Sequence, residues 1–166
     1  MSVYIRILQC IRHDDCKGSK ALLKKNNVDV NIIIKGSGSL LNEAAYKGCT
    51  KCIRALLKSG GFVTMGDDAG WTPLHAAVLG CNLEAVKLLL EHNALPNQLN
   101  DDGLTPCHLA VFADNLHIVH ELMTHGGDPL LEGVERTPFQ MAIDLEKNNV
   151  MKYFLYMPRF LTNNCQ

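Results

Sequence analysis

A six-residue motif occurs twice in this chain, and its spacing constrains the fold more than any other feature of the sequence. The first copy reads Gly-Trp-Thr-Pro-Leu-His at residues 70–75, and the second reads Gly-Leu-Thr-Pro-Cys-His at residues 103–108, so the copies start 33 residues apart. In each copy the glycine favours a turn, the threonine is a good helix N-cap, and the proline suits the first helical position. The motif therefore predicts repeated units in which a turn leads directly into a helix.

A period of 33 residues built on Thr-Pro-Leu-His resembles the ankyrin repeat. The resemblance implies an all-α solenoid of about five stacked units, each a β-turn followed by a helix-turn-helix, in a single domain over residues 1–166. The first and last units depart most from the motif and are expected to cap the stack. The predicted units cover residues 1–33, 34–66, 67–99, 100–131 and 132–157, with a tail at 158–166.

Composition disfavours several other classes of protein. The 16 basic and 17 acidic residues give a net charge of −1, whereas a general nucleic-acid binder is usually clearly basic. We see no run of apolar residues long enough for a membrane span, and the N-terminus lacks the apolar core of a signal peptide. The seven cysteines are odd in number and scattered, which fits reduced thiols better than a disulfide framework. We therefore expect a protein of the cytoplasm or nucleus that binds neither nucleic acid nor membrane.

The two parts of the chain carry opposite charge. Residues 1–66 contain 11 Lys/Arg and 4 Asp/Glu, whereas residues 67–166 contain 5 and 13. In a solenoid the order along the chain is also the order in space, so one end should be basic and the other acidic. Self-association through these ends, as a scaffold element, is an alternative to the monomer that we expect.

The residues that suggest chemistry favour structural roles. His75 and His108 occupy the same repeat position, where the family uses histidine to hydrogen-bond the backbone of a neighbouring turn. Cys49 and Cys52 form a C-x-x-C pair, but no second pair follows at zinc-finger spacing. We therefore predict no metal, no cofactor, no catalytic residue and no enzymatic activity.

Family resemblance places the partner on the turn tips and on the exposed side of the first helix of each unit. In that frame, several large apolar side chains and three aspartates could line up across adjacent units, as an apolar anchor strip with an acidic rim. The alternative is that each large side chain, Trp71 especially, packs locally against the next unit. A basic face around Lys47 and Lys51 is a second surface, and a solvated face is its simpler explanation. The predicted protein-binding residues are Tyr46, Asp68, Trp71, Leu79, Asp101, Asp102, Leu104 and Phe112.

The expected function is that of a non-enzymatic interaction module, an adaptor or inhibitor that binds another protein. By length and repeat number the chain is similar to small inhibitors of cyclin-dependent kinases, to IκB-like inhibitors of transcription factors and to single-domain regulators such as myotrophin. The substrate-recognition part of a ubiquitin-ligase adaptor is a further alternative. No residue pattern selects among these possibilities.

Overall fold

The computed structural model describes residues 2–26, 28–36, 38–133 and 135–157, which form five consecutive pairs of short helices. The predicted tail at 158–166 lies outside the described residues. The longest described helix has 11 residues, so none of the described helices has the length and apolar content needed to cross a bilayer. The pairs are α1 (Val3–Arg12) and α2 (Cys16–Asn26), α3 (Leu40–Tyr46) and α4 (Thr50–Lys58), α5 (Pro73–Leu79) and α6 (Leu83–Glu91), α7 (Pro106–Phe112) and α8 (Leu116–Thr124), and α9 (Pro138–Asp144) and α10 (Asn148–Leu155).

The helix pairs stack side by side in chain order. The first helices of successive pairs pack in one row, α1 on α3, α3 on α5, α5 on α7 and α7 on α9, and the second helices form a parallel row from α2 to α10. One pair falls within each of the five predicted units. The predicted all-α solenoid is confirmed.

Alanines allow the first helices to approach one another closely. Ala44, Ala77, Ala110 and Ala142 occupy the same position in the second to fifth units, and all four are completely buried. A side chain of one carbon leaves the smallest gap between neighbouring helices, which lets their backbones pack tightly. The second helices supply the bulk of the core through leucine, isoleucine and valine, so each unit buries its apolar face against the next one.

The two motif histidines join each unit to its neighbour. The backbone N–H of Thr72 donates to His75 Nδ1 at 3.2 Å, so the ring proton resides on Nε2, which donates to the Leu104 carbonyl of the next unit at 3.0 Å. His108 repeats this arrangement, with Nε2 2.9 Å from the Arg136 carbonyl. The predicted structural role of both histidines is confirmed.

Replacing His75 and His108 together with glutamine is expected to reduce the loss of stability in mild acid. Burial lowers the pKa of both imidazoles, so from about pH 6.5 downward the unfolded chain binds protons that the folded chain does not. The free energy of unfolding should therefore fall below that pH, by at most about 1.4 kcal/mol per pH unit for each histidine. Glutamine preserves the helix cap, because Gln140 stands at the equivalent position and its Oε1 accepts from the Thr137 N–H at 3.0 Å.

Urea denaturation of the wild type and the double variant between pH 7.5 and pH 5.0 measures this difference. If stability depends on pH equally in the two proteins, the two histidines are not the cause of the loss of stability in mild acid.

A small hairpin lies at the start of the second unit, just before α3. Strands β1 (Ile33–Ile34) and β2 (Gly38–Ser39) pair antiparallel, with Ile33 opposite Ser39. Gly36 and Gly38 have φ of 77° and 66°, which glycine adopts without steric cost. The sequence did not predict these strands, because two residues are too few to show an alternating pattern. The hairpin projects beside the first helices and forms one wall of the groove described below.

Candidate protein-binding surface

Three large apolar side chains are exposed at the same position of three successive units. Tyr46, Leu79 and Phe112 are the last residues of α3, α5 and α7, and they are 47%, 53% and 70% exposed. Because these helices pack in a row, the three side chains form one apolar strip across the second, third and fourth units. We refer to Tyr46, Leu79 and Phe112 as the apolar strip.

Packing of the core does not require these three side chains. The residues just before them, Ala45, Val78 and Val111, are completely buried. Consecutive helical residues point about 100° apart, so the helix already presents its apolar face to the core one position earlier. The exposed residue at the end of each first helix is free to be polar, which makes its apolar character in three successive units notable.

A charged pair closes the strip at each end. On the N-terminal side, Arg12, the last residue of α1, binds Glu43 of α3 with an Nε–Oε1 distance of 2.7 Å. On the C-terminal side, Asp144 is the last residue of α9 and binds Arg136 with a distance of 2.5 Å between Nη1 and Oδ2. The strip position is therefore charged in the fifth unit, and the Arg12–Glu43 pair lies beside the strip in the second unit, where Glu43 and Tyr46 line the same groove.

An open groove of about 520 Å³ lies beside the first part of the strip. Its apolar lining combines Ile33 and Ile34 of β1 with Tyr46, Trp71 and Leu79. The turn before α5 adds two carboxylates to the rim, those of Asp67 and Asp68. An apolar floor with a few charged groups at its edge is the composition expected of a pocket that receives a partner's side chains.

The structure places Trp71 differently from the residues of the strip. Its side chain is half-buried and packs against the core, and its indole meets the His75 ring edge-on with centroids 5.9 Å apart. Its backbone is held as well, because its N–H donates to Asp67 Oδ1 at 3.0 Å and its carbonyl accepts from Asn42 Nδ2 at 2.7 Å. Trp71 therefore packs within its own unit and also contributes one side to the groove.

The remaining predicted residues lie on the turns. Leu104 is half-buried against the core, and its carbonyl is the acceptor for His75 Nε2. The three predicted aspartates, Asp68, Asp101 and Asp102, are exposed, and the backbone N–H of Asp101 donates to the Ala69 carbonyl at 3.1 Å, which ties the two turns together. Sequence reasoning missed Ile33 and Ile34, whose signal was a pair of β-branched residues just before a glycine-rich turn.

Comparison with known proteins finds relatives over part of the chain. This chain is 36% identical over 72 residues to an ankyrin repeat protein of Rickettsia bellii, and the match covers 43% of this chain and 30% of that protein. It is 40% identical over 58 residues to mouse protein phosphatase 1 regulatory subunit 12A, covering 35% of this chain and 6% of that protein. It is 32% identical over 73 residues to human protein phosphatase 1 regulatory subunit 27, covering 44% and 47%. The chain thus spans less than half the length of each of these relatives.

Two family models match the chain itself. A model of three ankyrin repeat copies matches residues 7–100, which is more than half of the chain, and a model of many ankyrin repeat copies matches residues 80–122. Together they span the first unit to the fourth. The structure shows stacked helix pairs throughout this region, and α5 and α7 in it begin with the threonine and histidine of the motif. This protein belongs to the ankyrin repeat family.

Proposed function

We propose that this chain is a non-enzymatic binding module that holds a partner protein along the apolar strip and the adjoining groove. The observation that carries the proposal is the exposure of Tyr46, Leu79 and Phe112 in one row at positions where the core has no need of them. Exposed apolar side chains in register reduce solubility unless a partner covers them. Aromatic anchors surrounded by polar groups are typical of the residues that dominate binding energy at interfaces.

Two of the relatives support an adaptor role, because they are named as regulatory subunits of protein phosphatase 1. We propose that this chain likewise acts as an adaptor or inhibitor, in the cytoplasm or nucleus, by occupying the surface of another protein. An IκB-like inhibitor of a transcription factor and a substrate-recognition part of a ubiquitin-ligase adaptor remain alternatives within the same binding mode.

The proposed mechanism relies on a surface formed before binding. The strip residues sit at the ends of packed helices, so little conformational entropy is lost when a partner binds. The carboxylates of Asp67 and Asp68 at the groove favour a partner that carries a positive charge beside its apolar anchor. Contacts with the charged pairs at both ends would fix the position of the partner along the strip.

A capture experiment with two matched triple variants tests the proposal. Changing the three strip residues to serine is expected to abolish retention of a partner that the wild-type chain captures from cell extract. The control changes three other exposed apolar residues to serine, Phe62, Leu95 and Leu130, which lie in the loops after α4, α6 and α8 and are 62%, 54% and 42% exposed. The control variant should retain the partner.

Thermal melting of both triple variants accompanies the capture, and both midpoints should stay close to that of the wild type. Equal retention by the two variants, or loss of the partner from the control alone, would contradict the proposal.

A further inference from the structure

Three cysteine sulfurs meet at the joint between the first and second units. Cys16 is the first residue of α2, Cys49 immediately precedes α4, and Cys52 lies one turn further into α4. The Sγ–Sγ distances are 2.8 Å for Cys16–Cys49, 2.7 Å for Cys16–Cys52 and 2.6 Å for Cys49–Cys52. Across residues 2–26, 28–36, 38–133 and 135–157, no other group brings three possible metal ligands this close together.

The sequence predicted no metal at the Cys49 and Cys52 pair because a second pair was missing. The structure makes Cys52 almost fully buried, with 1% of its surface exposed, and adds Cys16 from the preceding unit. Cys16 lies 33 residues before Cys49, which is one repeat period. Cys16 is therefore one unit away from the pair along the chain, and the stacking of the two units brings it close to the pair.

The side chain of Cys49 has different partners from the side chains at the same repeat position in the next two units. Asn82 and Asn115 precede α6 and α8 at the same repeat position. Asn115 Oδ1 accepts from the Ile118 N–H at 3.2 Å, and Asn82 Nδ2 donates to the Tyr46 carbonyl of the preceding unit at 2.6 Å. Among the described residues, the Cys49 side chain caps no N–H of its helix. At this position cysteine replaces a good N-cap residue, and its sulfur instead faces two other sulfurs.

A carboxylate lies beside one of the three sulfurs. Asp14, in the loop between α1 and α2, has its Oδ1 3.8 Å from Cys16 Sγ. A tetrahedral zinc ion with bonds of about 2.3 Å to sulfur and 2.0–2.2 Å to oxygen holds such a pair roughly 3.6 Å apart. The same geometry places sulfurs roughly 3.8 Å apart, so ion binding would open the triangle of sulfurs by about 1 Å. Asp14 is exposed, which gives the ion a route from solvent.

We propose that Cys16, Cys49 and Cys52 bind a zinc ion, with Asp14 as the fourth ligand, and that this ion joins the first unit to the second. Thiolates select zinc over hard cations such as magnesium or calcium. In binding, the ion replaces the three thiol protons, which pass to solvent, and no electron is transferred. Because a thiol must lose its proton to bind zinc, zinc affinity should increase with pH.

Cobalt provides a direct test on the whole 166-residue chain. The chain is purified under reducing conditions, stripped of metal with a chelator and titrated with Co²⁺. We expect one ion per chain, an absorption band in the near ultraviolet from charge transfer between sulfur and cobalt, and loss of that band when Zn²⁺ is added. Zinc should also raise the midpoint of thermal unfolding, because it binds the folded state alone.

Two variants make the test specific. Cys49→Asn removes one ligand and introduces the residue that stands before α6 and α8 and caps α8, so it should fold without metal and bind zinc at least about 100-fold more weakly. The matched control, Cys81→Ser, changes an exposed cysteine outside the cluster and should bind like the wild type.

Two results would overturn the proposal. One is the absence of a sulfur-to-cobalt band in the reduced wild-type chain. That result would overturn the proposal even if the same chain forms a Cys49–Cys52 disulfide when reductant is omitted. The other is unchanged zinc affinity in Cys49→Asn. The serine variant of the apolar strip should keep its zinc, so this result and the binding function can fail independently.

Discussion

Leu89→Ala is expected to lower the free energy of unfolding by about 3 kcal/mol, which for a chain of this size moves the thermal midpoint by roughly 6–12 °C. Leu89 is completely buried in α6, the second helix of the central unit, and α6 packs against both α4 and α8. Truncation removes apolar contacts on both sides and leaves a cavity that stacked helices fill only in part. Differential scanning calorimetry together with urea denaturation measures the loss.

The control for this prediction is the same substitution in the same unit. Leu79 ends α5 and is 53% exposed, so Leu79→Ala should change the free energy of unfolding by no more than about 0.5 kcal/mol. A large loss of stability in Leu79→Ala would mean that the apolar strip is needed for folding, and it would remove the main argument for a binding surface.

Phe112→Ala is expected to weaken binding of the captured partner by at least about 30-fold, or about 2 kcal/mol. Phe112 is the most exposed residue of the apolar strip, with 70% of its surface accessible, so it offers the largest apolar area for a partner to cover. Aromatic residues of this kind contribute most when a partner excludes water from them. Isothermal titration calorimetry of the purified complex gives the change in Kd, and most of the effect should be in the dissociation rate.

Phe62 is the matched control for Phe112. It is a phenylalanine with 62% of its surface exposed, and it lies in the loop after α4, away from the strip. Phe62→Ala should leave the Kd within about twofold of the wild type, since surface residues outside an interface contribute little. A Kd that changes more for Phe62→Ala than for Phe112→Ala would place the partner on the loop that follows α4 and would contradict binding at the strip.

The features that the sequence predicted well are those set by local interactions. Thr72, Pro73 and His75 lie within one turn of each other, and their capping pattern recurs 33 residues later, so both the helix starts and the period are visible in the residues themselves. Tyr46, Leu79 and Phe112 follow from the same period, because the repeat assigns them one common position. Their exposure follows from the buried residue that precedes each of them.

The features that sequence reasoning missed depend on contacts between units. The hydrogen bond from Asn42 Nδ2 to the Trp71 carbonyl joins the second unit to the third, and no pattern within either unit indicates it. The meeting of Cys16 with Cys49 depends on how closely the first unit stacks on the second. A repeat pattern gives the order of the units, whereas such distances require the angle and offset between them.

The two charged pairs that end the strip also set a length. Neighbouring packed helices lie about 8–10 Å apart, so the side chains of Tyr46 and Phe112, two helices apart, are separated by roughly 16–20 Å. A partner segment that touches all three anchors needs about six residues as an extended strand, at 3.3 Å per residue, or about twelve as a helix, at 1.5 Å per residue. If the proposed binding surface is correct, the solenoid should select partners by the spacing of their own apolar residues, and inserting a further unit between Leu79 and Phe112 should change which peptides match it.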